Sequence, residues 1–175
     1  MPQRPLVLYI ATSVDGYIAA PGDDLSFLDA VQSPGEDYGY SAFIETVDTV
    51  IVGKRTYDKV LQMGYPFPHA DKEAYIITRT SRASIGNNHF YTGDILTLVQ
   101  ELKAREGKTI FCDGGAQVVN LLLQHQLIDT FILSIIPVLL GSGTRLFDQF
   151  PRQALQLVSS RSFPGGLVQL HYQKV

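Results

Sequence analysis

Short apolar runs alternate with amphipathic stretches along most of this chain, and this alternation restricts the fold more than any other feature of the sequence. The apolar runs have the length of single strands and occupy residues 6–11, 49–52, 74–78 and 109–112. Between them, apolar residues recur at helical spacing, as in Ile95, Leu98, Val99 and Leu102. Such alternation is typical of an α/β protein whose mostly parallel sheet is built with right-handed crossovers.

The pattern changes in the last third of the chain. Residues 129–140, 155–160 and 167–172 are predicted strands that follow one another without an intervening helix. Pro137 interrupts the first of these runs and disfavours a fully paired central position there. We therefore expect one domain over residues 1–175, with antiparallel strands at the C-terminal edge of the sheet.

A helix start is predicted at Ser33-Pro34-Gly35-Glu36. Ser33 would be the N-cap, Pro34 the first helical residue and Glu36 the capping-box residue. The helix would continue through Tyr40, Phe43, Ile44 and Val47 at helical spacing. Glu36 and its neighbour Asp37 would then border an apolar stripe.

Composition disfavours several classes of function. Hydrophobic residues make up 45% of the chain and the net charge is −3, which argues against a disordered protein, a nucleic-acid binder and an anionic-membrane binder. No apolar run is long enough to span a membrane. The single cysteine, Cys112, and the lack of a basic leader predict a cytoplasmic protein. We expect a small-molecule ligand.

The histidines do not predict a metal site. Their spacing matches no set of metal ligands, and surface or packing roles are expected for all four: His69, His89, His125 and His171.

Two turns between a strand and a helix are candidates for binding a ligand: VIVGKRT at residues 50–56 and FCDGGAQ at residues 111–117. In open α/β sheets, ligands bind at the carboxyl ends of strands, where helix N-termini offer free N–H groups. Glycine lets the backbone approach a pyrophosphate closely. Two such turns, one followed by Lys54-Arg55, predict a dinucleotide site, although the Rossmann G-x-G-x-x-G pattern is absent.

Several segments resemble, in order, the signatures of the dihydrofolate reductase superfamily: ATSVDGYIA at 11–19, VIVGKRTYD at 50–58 and ITRT at 77–80. The run DGGAQVVNLL at 113–122 and the segment 127–147 are more similar to the reductase domain of bacterial riboflavin biosynthesis. This resemblance implies a three-layer fold with an eight-stranded, mostly parallel mixed sheet, antiparallel C-terminal strands and about four flanking helices. It also implies NADPH, laid across the strand ends.

The resemblance further implies which residues contact NADPH. The phosphates of the adenosine half would meet Gly53, Lys54, Arg55 and Thr56. Its ribose phosphate would lie by Thr78 and Arg79. The pyrophosphate would be cradled by Gly114, Gly115, Ala116 and Gln117. The nicotinamide and the mobile loop over it would involve Ala11, Asp15, Gly16 and Ile18. The basic residues near the ribose predict a preference for NADPH over NADH.

Reduction of a heterocycle by a nicotinamide also needs a group that protonates a ring nitrogen, and a buried carboxylate can do this while pairing with an amino-pyrimidine edge. Glu36 and Asp37 are the candidates. Glu36 already has a capping role, whereas Asp37 falls close to the substrate acid of dihydrofolate reductases. Asp37 is therefore the predicted catalytic residue; the alternative is a solvated aspartate that complements the helix dipole.

Three functions remain open. The first is an NADPH-dependent reductase of a 5-amino-6-(5-phosphoribosylamino)uracil-type substrate of riboflavin biosynthesis. The second is a dihydrofolate or pterin reductase, which the absence of tryptophan disfavours. The third is a non-catalytic nucleotide-binding protein. A ribosyl phosphate would require a basic group, for which Arg145 and Lys72 are candidates. The apolar C-terminal strands predict a homodimer.

Overall fold

The computed structural model describes residues 2–175, and its main element is an eight-stranded mixed sheet. The strand order across this sheet is β5-β4-β3-β6-β1-β7-β10-β9. Its strands are β1 (Leu6–Ser13), β3 (Val47–Gly53), β4 (Glu73–Ile77), β5 (Asn88–Tyr91), β6 (Thr109–Gly114), β7 (Thr130–Ile136), β9 (Leu155–Ser162) and β10 (Val168–Lys174). A separate antiparallel pair consists of β2 (Tyr17–Ala19) and β8 (Thr144–Arg145).

Four α-helices and one 3₁₀ helix accompany the sheet. The α-helices are α1 (Tyr40–Glu45), α2 (Lys54–Gln62), α3 (Ile95–Ala104) and α4 (Ala116–Gln124), and the 3₁₀ helix is Ser26–Val31. None of the helices in residues 2–175 has the length and apolar character needed to cross a bilayer.

The chain adds strands in one direction across the sheet up to β5 and in the opposite direction after it. From β1 the chain moves outward through β3, β4 and β5, and it then returns to β6 and crosses to β7. Right-handed crossovers therefore place α1 and α2 on one face and α3 and α4 on the other. The parallel pairing of β1, β3, β4, β5, β6 and β7 and the antiparallel pairing of β10 with β7 and β9 confirm the predicted sheet.

Alternate residues of β6 show how the two faces are filled. Ile110 and Cys112 belong to the large core cluster beneath α3 and α4, whereas Phe111 packs with residues of α1 and α2. Because side chains alternate along a strand, Asp113 lies on the same face as Phe111. This placement brings a carboxylate to the α1 and α2 face at the carboxyl end of β6.

The C-terminal strands form the edge of the sheet. β7 ends at Ile136, directly before Pro137, in agreement with the expectation that proline leaves the paired strand. β9 is the outermost strand, and it exposes Leu155, Leu157 and Val158 by 39%, 52% and 52%. These side chains form the apolar surface that a homodimer would cover, and the homodimer stays a prediction.

The predicted helix start at Ser33 is wrong. Residues 32–39 form turns, α1 begins only at Tyr40, and Val47 opens β3 instead of continuing a helix. The physical reason is backbone conformation: Gly35 and Gly39 have φ values of 76° and 85°, in the left-handed region where a right-handed helix cannot continue. Glu36 makes no capping box; its carboxylate accepts the backbone N–H of Tyr38 at 2.8 Å.

A buried guanidinium ties the beginnings of three strands together. Arg4 is 6% exposed and donates to the carbonyl of Lys108 at 2.7 Å, to Thr49 Oγ1 at 2.8 Å and to the Asp48 carboxylate. Gly107 is needed beside it, because a Cβ there would lie 2.7 Å from Arg4 Cζ and 2.8 Å from Asp48 Oδ2. The cluster fixes the ends of β1, β3 and β6 that face away from the glycine turns.

We predict that Arg4→Met lowers the free energy of unfolding by about 2–3 kcal/mol, since it leaves Asp48 and Thr49 without their buried partner. Urea unfolding followed by circular dichroism measures the change. Arg105→Met is the matched control, because Arg105 makes an exposed pair with Glu73 at 2.9 Å and should contribute less than about 1 kcal/mol. Equal losses in the two variants would contradict a special role for Arg4.

Candidate functional site

The candidate cofactor site lies where β3 and β6 end. These strands are parallel neighbours, but β3 leads to α2 on one face and β6 leads to α4 on the other. A crevice opens between neighbouring strands whose connections leave in opposite directions, and ligands of open α/β sheets bind there. The structure thus places both predicted glycine turns at one topological switch point.

The two turns are in direct contact across this crevice. A Cβ on Gly53 would lie 3.2 Å from Val118 Cγ2 and 3.5 Å from the backbone nitrogen of Gly115. A Cβ on Gly115 would lie 3.0 Å from Thr56 Oγ1. The Gly114–Gly115 peptide bond is cis. Glycine at both positions therefore lets the two turns approach closely, because a Cβ at either one would force Val118 or Thr56 to move by a few tenths of an ångström.

The N-termini of α2 and α4 meet at this crevice with free backbone donors. Their N-cap residues are Gly53 and Gly115, and no side chain among residues 2–175 caps either helix. Two uncapped helix N-termini present N–H groups and positive dipole ends to an anion. The arrangement fits the pyrophosphate of a dinucleotide, with Thr56 and the first residues of α4, Ala116 and Gln117, at its border.

The basic side chains predicted for the adenosine half differ in their surroundings. Lys54 forms an ion pair with Asp58, and Arg55 pairs with Asp23 at 2.8 Å. Arg79 is exposed and has no salt-bridge partner in the described part of the chain. It follows β4, whose Ile77 is in register with Gly53, so Thr78 and Arg79 adjoin the β3 turn. An incoming phosphate would compete with carboxylates for Lys54 and Arg55 but not for Arg79.

The predicted nicotinamide residues occupy the end of β1 and the turn after it. Asp15 accepts hydrogen bonds from the Ser13 hydroxyl at 2.6 Å and from the backbone N–H groups of Leu140 and Gly141 at 3.0 and 2.7 Å. These bonds, that from Ser13 most strongly, lower the pKa of Asp15 to about 2. The carboxylate thus fastens the β1–β2 turn to the segment after β7.

The remaining residues of this group have distinct places. Gly16 has a φ of 86° and its carbonyl accepts the N–H of Leu146 at 2.9 Å, which continues the same attachment. Ile18 lies in β2 and packs against the large core cluster. Ala11 lies in β1 and lines a cavity on the α1 and α2 face.

This cavity has a volume of about 650 Å³ and is open at one side. Its floor comes from β1 and β7, and its walls come from the 3₁₀ helix, the loop 32–38 and Leu167, which directly precedes β10. The lining residues are Tyr9, Ala11, Leu28, Val31, Gln32, Ser33, Pro34, Glu36, Asp37, Tyr38, Ser134, Ile136 and Leu167. A mostly apolar cavity of this size with a few polar groups is typical of a site for a small organic ligand.

The amide of Gln169 holds the loop wall against the floor. Its Nε2 lies 3.1 Å from Ser134 Oγ, 3.2 Å from the Tyr9 hydroxyl and 3.1 Å from the carbonyl of Tyr38. The Tyr9 hydroxyl itself donates to the Tyr38 carbonyl at 3.0 Å. Nothing in the sequence indicated this contact, because Gln169 is 131 residues from Tyr38.

Asp37 lies at the rim of the cavity, exposed and outside any helix. Its two carboxylate oxygens accept the backbone N–H groups of Gly39 at 3.0 Å and Ser41 at 2.9 Å. Hydrogen bonds from Ser41, and then from Gly39, lower the pKa of Asp37. The expected buried carboxylate on a helix is therefore an exposed, ionised one that shapes the turn before α1.

A second carboxylate faces the same region from β6. Leu8 and Cys112 are in register, so Asp113 lies beside Tyr9 on the neighbouring strand. His69 Nε2 is 3.1 Å from Asp113 Oδ2, and the negative charge of Asp113 adds to burial in raising the pKa of Tyr40 to about 12. Asp113 thus stands between the cavity and the glycine crevice.

Sequence analysis missed the pairing of His69 with Asp113. His69 is only 1% exposed and packs edge-on against Phe67 and Phe111, with ring centroids 5.3 and 5.7 Å apart. It lies in an irregular loop 44 residues from Asp113, where no periodicity signals burial.

Comparison with known proteins gives a consistent family match. Residues 4–169 match the sequence profile described as the RibD C-terminal domain. The chain is 39% identical to the uncharacterized protein YwjB of Bacillus subtilis (strain 168), over 97% of this chain and 98% of that protein. A protein of Shewanella sp. PV-4, provisionally assigned to riboflavin biosynthesis, has a structure with a TM-score of 0.88 and 28% identity, over 98% of this chain and 99% of that one.

More distant structures show the same fold. The deaminase/5-amino-6-(5-phosphoribosylamino)uracil reductase of Thermotoga maritima matches with a TM-score of 0.73 and 14% identity, over 99% of this chain and 57% of that one. Dihydrofolate reductase from Enterococcus faecalis, complexed with NADP(H), matches with a TM-score of 0.67 and 15% identity, over 98% and 97% of the chains. These likenesses confirm the predicted dihydrofolate-reductase-like fold.

We predict that Asp15→Asn lowers the melting temperature at pH 7, because an amide N–H would face the backbone donors of Leu140 and Gly141. Since folding lowers the pKa of Asp15 to about 2, its carboxylate stabilises the fold fully above the unfolded pKa of about 3.9. That stability is lost as the pH falls toward 2. The melting temperatures of the wild type and Asp15→Asn should therefore differ most at about pH 5 and above. This difference should shrink as the pH falls from about 5 to about 2. A difference independent of pH would argue against this role of Asp15.

Proposed function

The chain belongs to the RibD C-terminal domain family, and on this premise we propose that it is an NADPH-dependent reductase of a small heterocycle. The observation that carries the proposal is the position of the cavity next to the glycine crevice. A Cβ on Gly114 would lie 3.5 Å from Ile10 Cδ1, so the crevice reaches β1, and Tyr9 and Ala11 of that strand line the cavity. A cofactor in the crevice and a ring in the cavity would share one border.

NADPH, when bound, supplies a hydride for a carbon of the heterocycle. The protein must hold the two partners at close range and keep water away from the reacting atoms. Ala11 suits the border between them because its methyl group leaves room for two flat rings. Apolar side chains of the cavity, including Val31 and Ile136, exclude water from one side of the ring.

We propose that two carboxylates divide the work that the sequence assigned to Asp37 alone. Asp37 has a lowered pKa and is ionised at neutral pH, so it suits the acceptance of N–H groups from an amino-pyrimidine edge. Asp113 lies beside Tyr9 of the cavity floor, directly before the glycine pair of the crevice, and is held by His69. In its protonated form, the carboxyl group of Asp113 would donate the proton that the ring nitrogen takes up during the reduction, and it would regain this proton from solvent.

We expect the purified protein to oxidise NADPH in the presence of one member of a panel of ribosylaminopyrimidines, dihydropterins and dihydrofolate. In Asp113→Asn, kcat should fall by about 10²-fold, the usual scale for loss of a general acid. In Asp37→Asn, KM should rise with a much smaller change in kcat, since this residue contributes binding. Stopped-flow and steady-state absorbance measurements follow the cofactor.

Thr97→Val serves as the control variant, since Thr97 is an exposed residue of α3 on the opposite face of the sheet. Its kinetic constants should equal those of the wild type. A large loss of kcat in Asp37→Asn with none in Asp113→Asn would reverse the two roles. Binding of NADPH without turnover of any compound would favour the non-catalytic alternative, and turnover of dihydrofolate would favour the folate reductase.

We also predict that the protein prefers NADPH to NADH, and that Arg79 contributes most to this preference. Arg79 can bind the ribose phosphate without breaking an ion pair, whereas Lys54 and Arg55 must first break their pairs with Asp58 and Asp23. A contact of this kind is worth about 1–2 kcal/mol after screening, so Arg79→Ala should weaken NADPH binding about tenfold and leave NADH binding nearly unchanged. Fluorescence titration at low and high salt measures both affinities.

Arg105→Ala provides the charge-matched comparison, because Arg105 pairs with Glu73 at the amino end of β4, away from the crevice. It should change neither affinity. If the wild type bound both cofactors equally, or if Arg79→Ala weakened them alike, the proposed phosphate contact would be wrong.

A further inference from the structure

We propose that the cavity selects heterocycles that carry no phosphate group, and that it favours neutral or cationic ligands over anionic ones. This inference rests on the proposed function, because it concerns the substrate of the same site. It departs from the phosphoribosyl substrate considered from the sequence, and it identifies Glu36 and Asp37 as residues that determine specificity.

The charge of the cavity wall carries the proposal. Among the described residues that line the cavity, Glu36 and Asp37 are the charged ones, and neither lysine nor arginine occurs. The polar groups of the floor, including the Tyr9 and Ser134 hydroxyls, are already joined to Gln169. A phosphate entering here would meet two carboxylates and no cation.

The two basic residues considered from the sequence lie elsewhere. The guanidinium of Arg145 stacks over the ring of Tyr17 at 5.0 Å, in the small β2–β8 sheet. Lys72 Nζ lies 3.1 Å from the carboxylate of Asp71. Neither residue lines the cavity, so neither meets the requirement for a phosphate partner.

Arg161 is a basic residue that the pairing of β9 with β10 places on the same face of the sheet as the cavity. It is opposite Gln169 in the β9–β10 pair and therefore shares the cavity face of the sheet. Its guanidinium, however, lies 4.5 Å above the ring of Phe163, and that ring packs edge-on against Tyr38 at 4.9 Å. Of these three residues only Tyr38 lines the cavity.

A phosphate monoester carries about 1.5 to 2 negative charges at neutral pH and is normally bound by arginine, lysine or converging N–H groups. Asp37 uses both carboxylate oxygens to hold the turn and is ionised at that pH, so its charge persists when a ligand arrives. An amino-substituted ring can instead donate N–H groups to these carboxylates. The rim therefore attracts the amino edge and repels the phosphate.

The test compares two ligands that differ only in the phosphate: 5-amino-6-ribosylaminouracil and its 5′-phosphate. Each is titrated calorimetrically into the protein saturated with NADP⁺, with 2,4-diaminopyrimidine as a third, phosphate-free probe. We expect the compound without phosphate to bind at least about tenfold more tightly, and we expect this ratio to fall at high salt, which screens the repulsion.

The double variant Glu36→Gln, Asp37→Asn should bring the ratio of the two affinities close to one. Glu101→Gln, Glu106→Gln is the matched control: it makes the same change in net charge at exposed positions on and directly after α3, on the far side of the sheet. This control should keep the wild-type ratio, since a change in net charge alone acts weakly at that distance.

Equal affinity for the two ligands, or tighter binding of the phosphate, would overturn the charge selection. A phosphate preference that is lost in Arg161→Ala would identify Arg161 as the phosphate partner instead. In both cases the proposed reductase function would stand. If none of the three probes bound the cofactor-loaded protein, the charge selection would be overturned, whereas the proposed reductase function fails only if no member of the substrate panel is turned over.

Discussion

The rest of the site depends on the close approach of β3 and β6 at their carboxyl ends. The two strands are parallel neighbours, yet β3 continues to α2 on one face of the sheet and β6 continues to α4 on the opposite face. Glycine suits this branching point, because a Cβ on Gly53 or Gly115 would lie only 3.2 or 3.0 Å from a neighbouring side chain, which would then have to move. The same constraint leaves two helix N-termini open toward one crevice, where they can receive an anion.

β1 connects this crevice to the cavity. It lies between β6 and β7 in the sheet, so it borders the glycine pair on one side and the cavity floor on the other. Asp15 fastens the turn that follows it, and Arg4 fixes its beginning. A strand held at both ends keeps the crevice and the cavity in a constant relative position, which the proposed reduction requires.

The polar groups around the cavity come from distant parts of the chain. Gln169 of the last strand holds the loop near Tyr38, and His69 of an irregular loop holds Asp113. Local patterns cannot report such pairs, since each partner looks like an ordinary polar residue in its own segment. The error at Ser33 has a related origin: the capping pattern is local, whereas Gly35 and Gly39 adopt left-handed conformations that shape the cavity wall.

The sequence by itself determined the sheet, its antiparallel edge and the two glycine turns, because apolar periodicity and glycine position act through local geometry. It also determined the family, through motifs that lie in the correct order along the chain. The tertiary structure alone decided that both turns meet in one crevice, that Asp37 is exposed, and that Asp113 lies beside Tyr9 of the cavity floor. These facts depend on which strands are neighbours and which face each side chain takes, and both are set by packing of the whole domain.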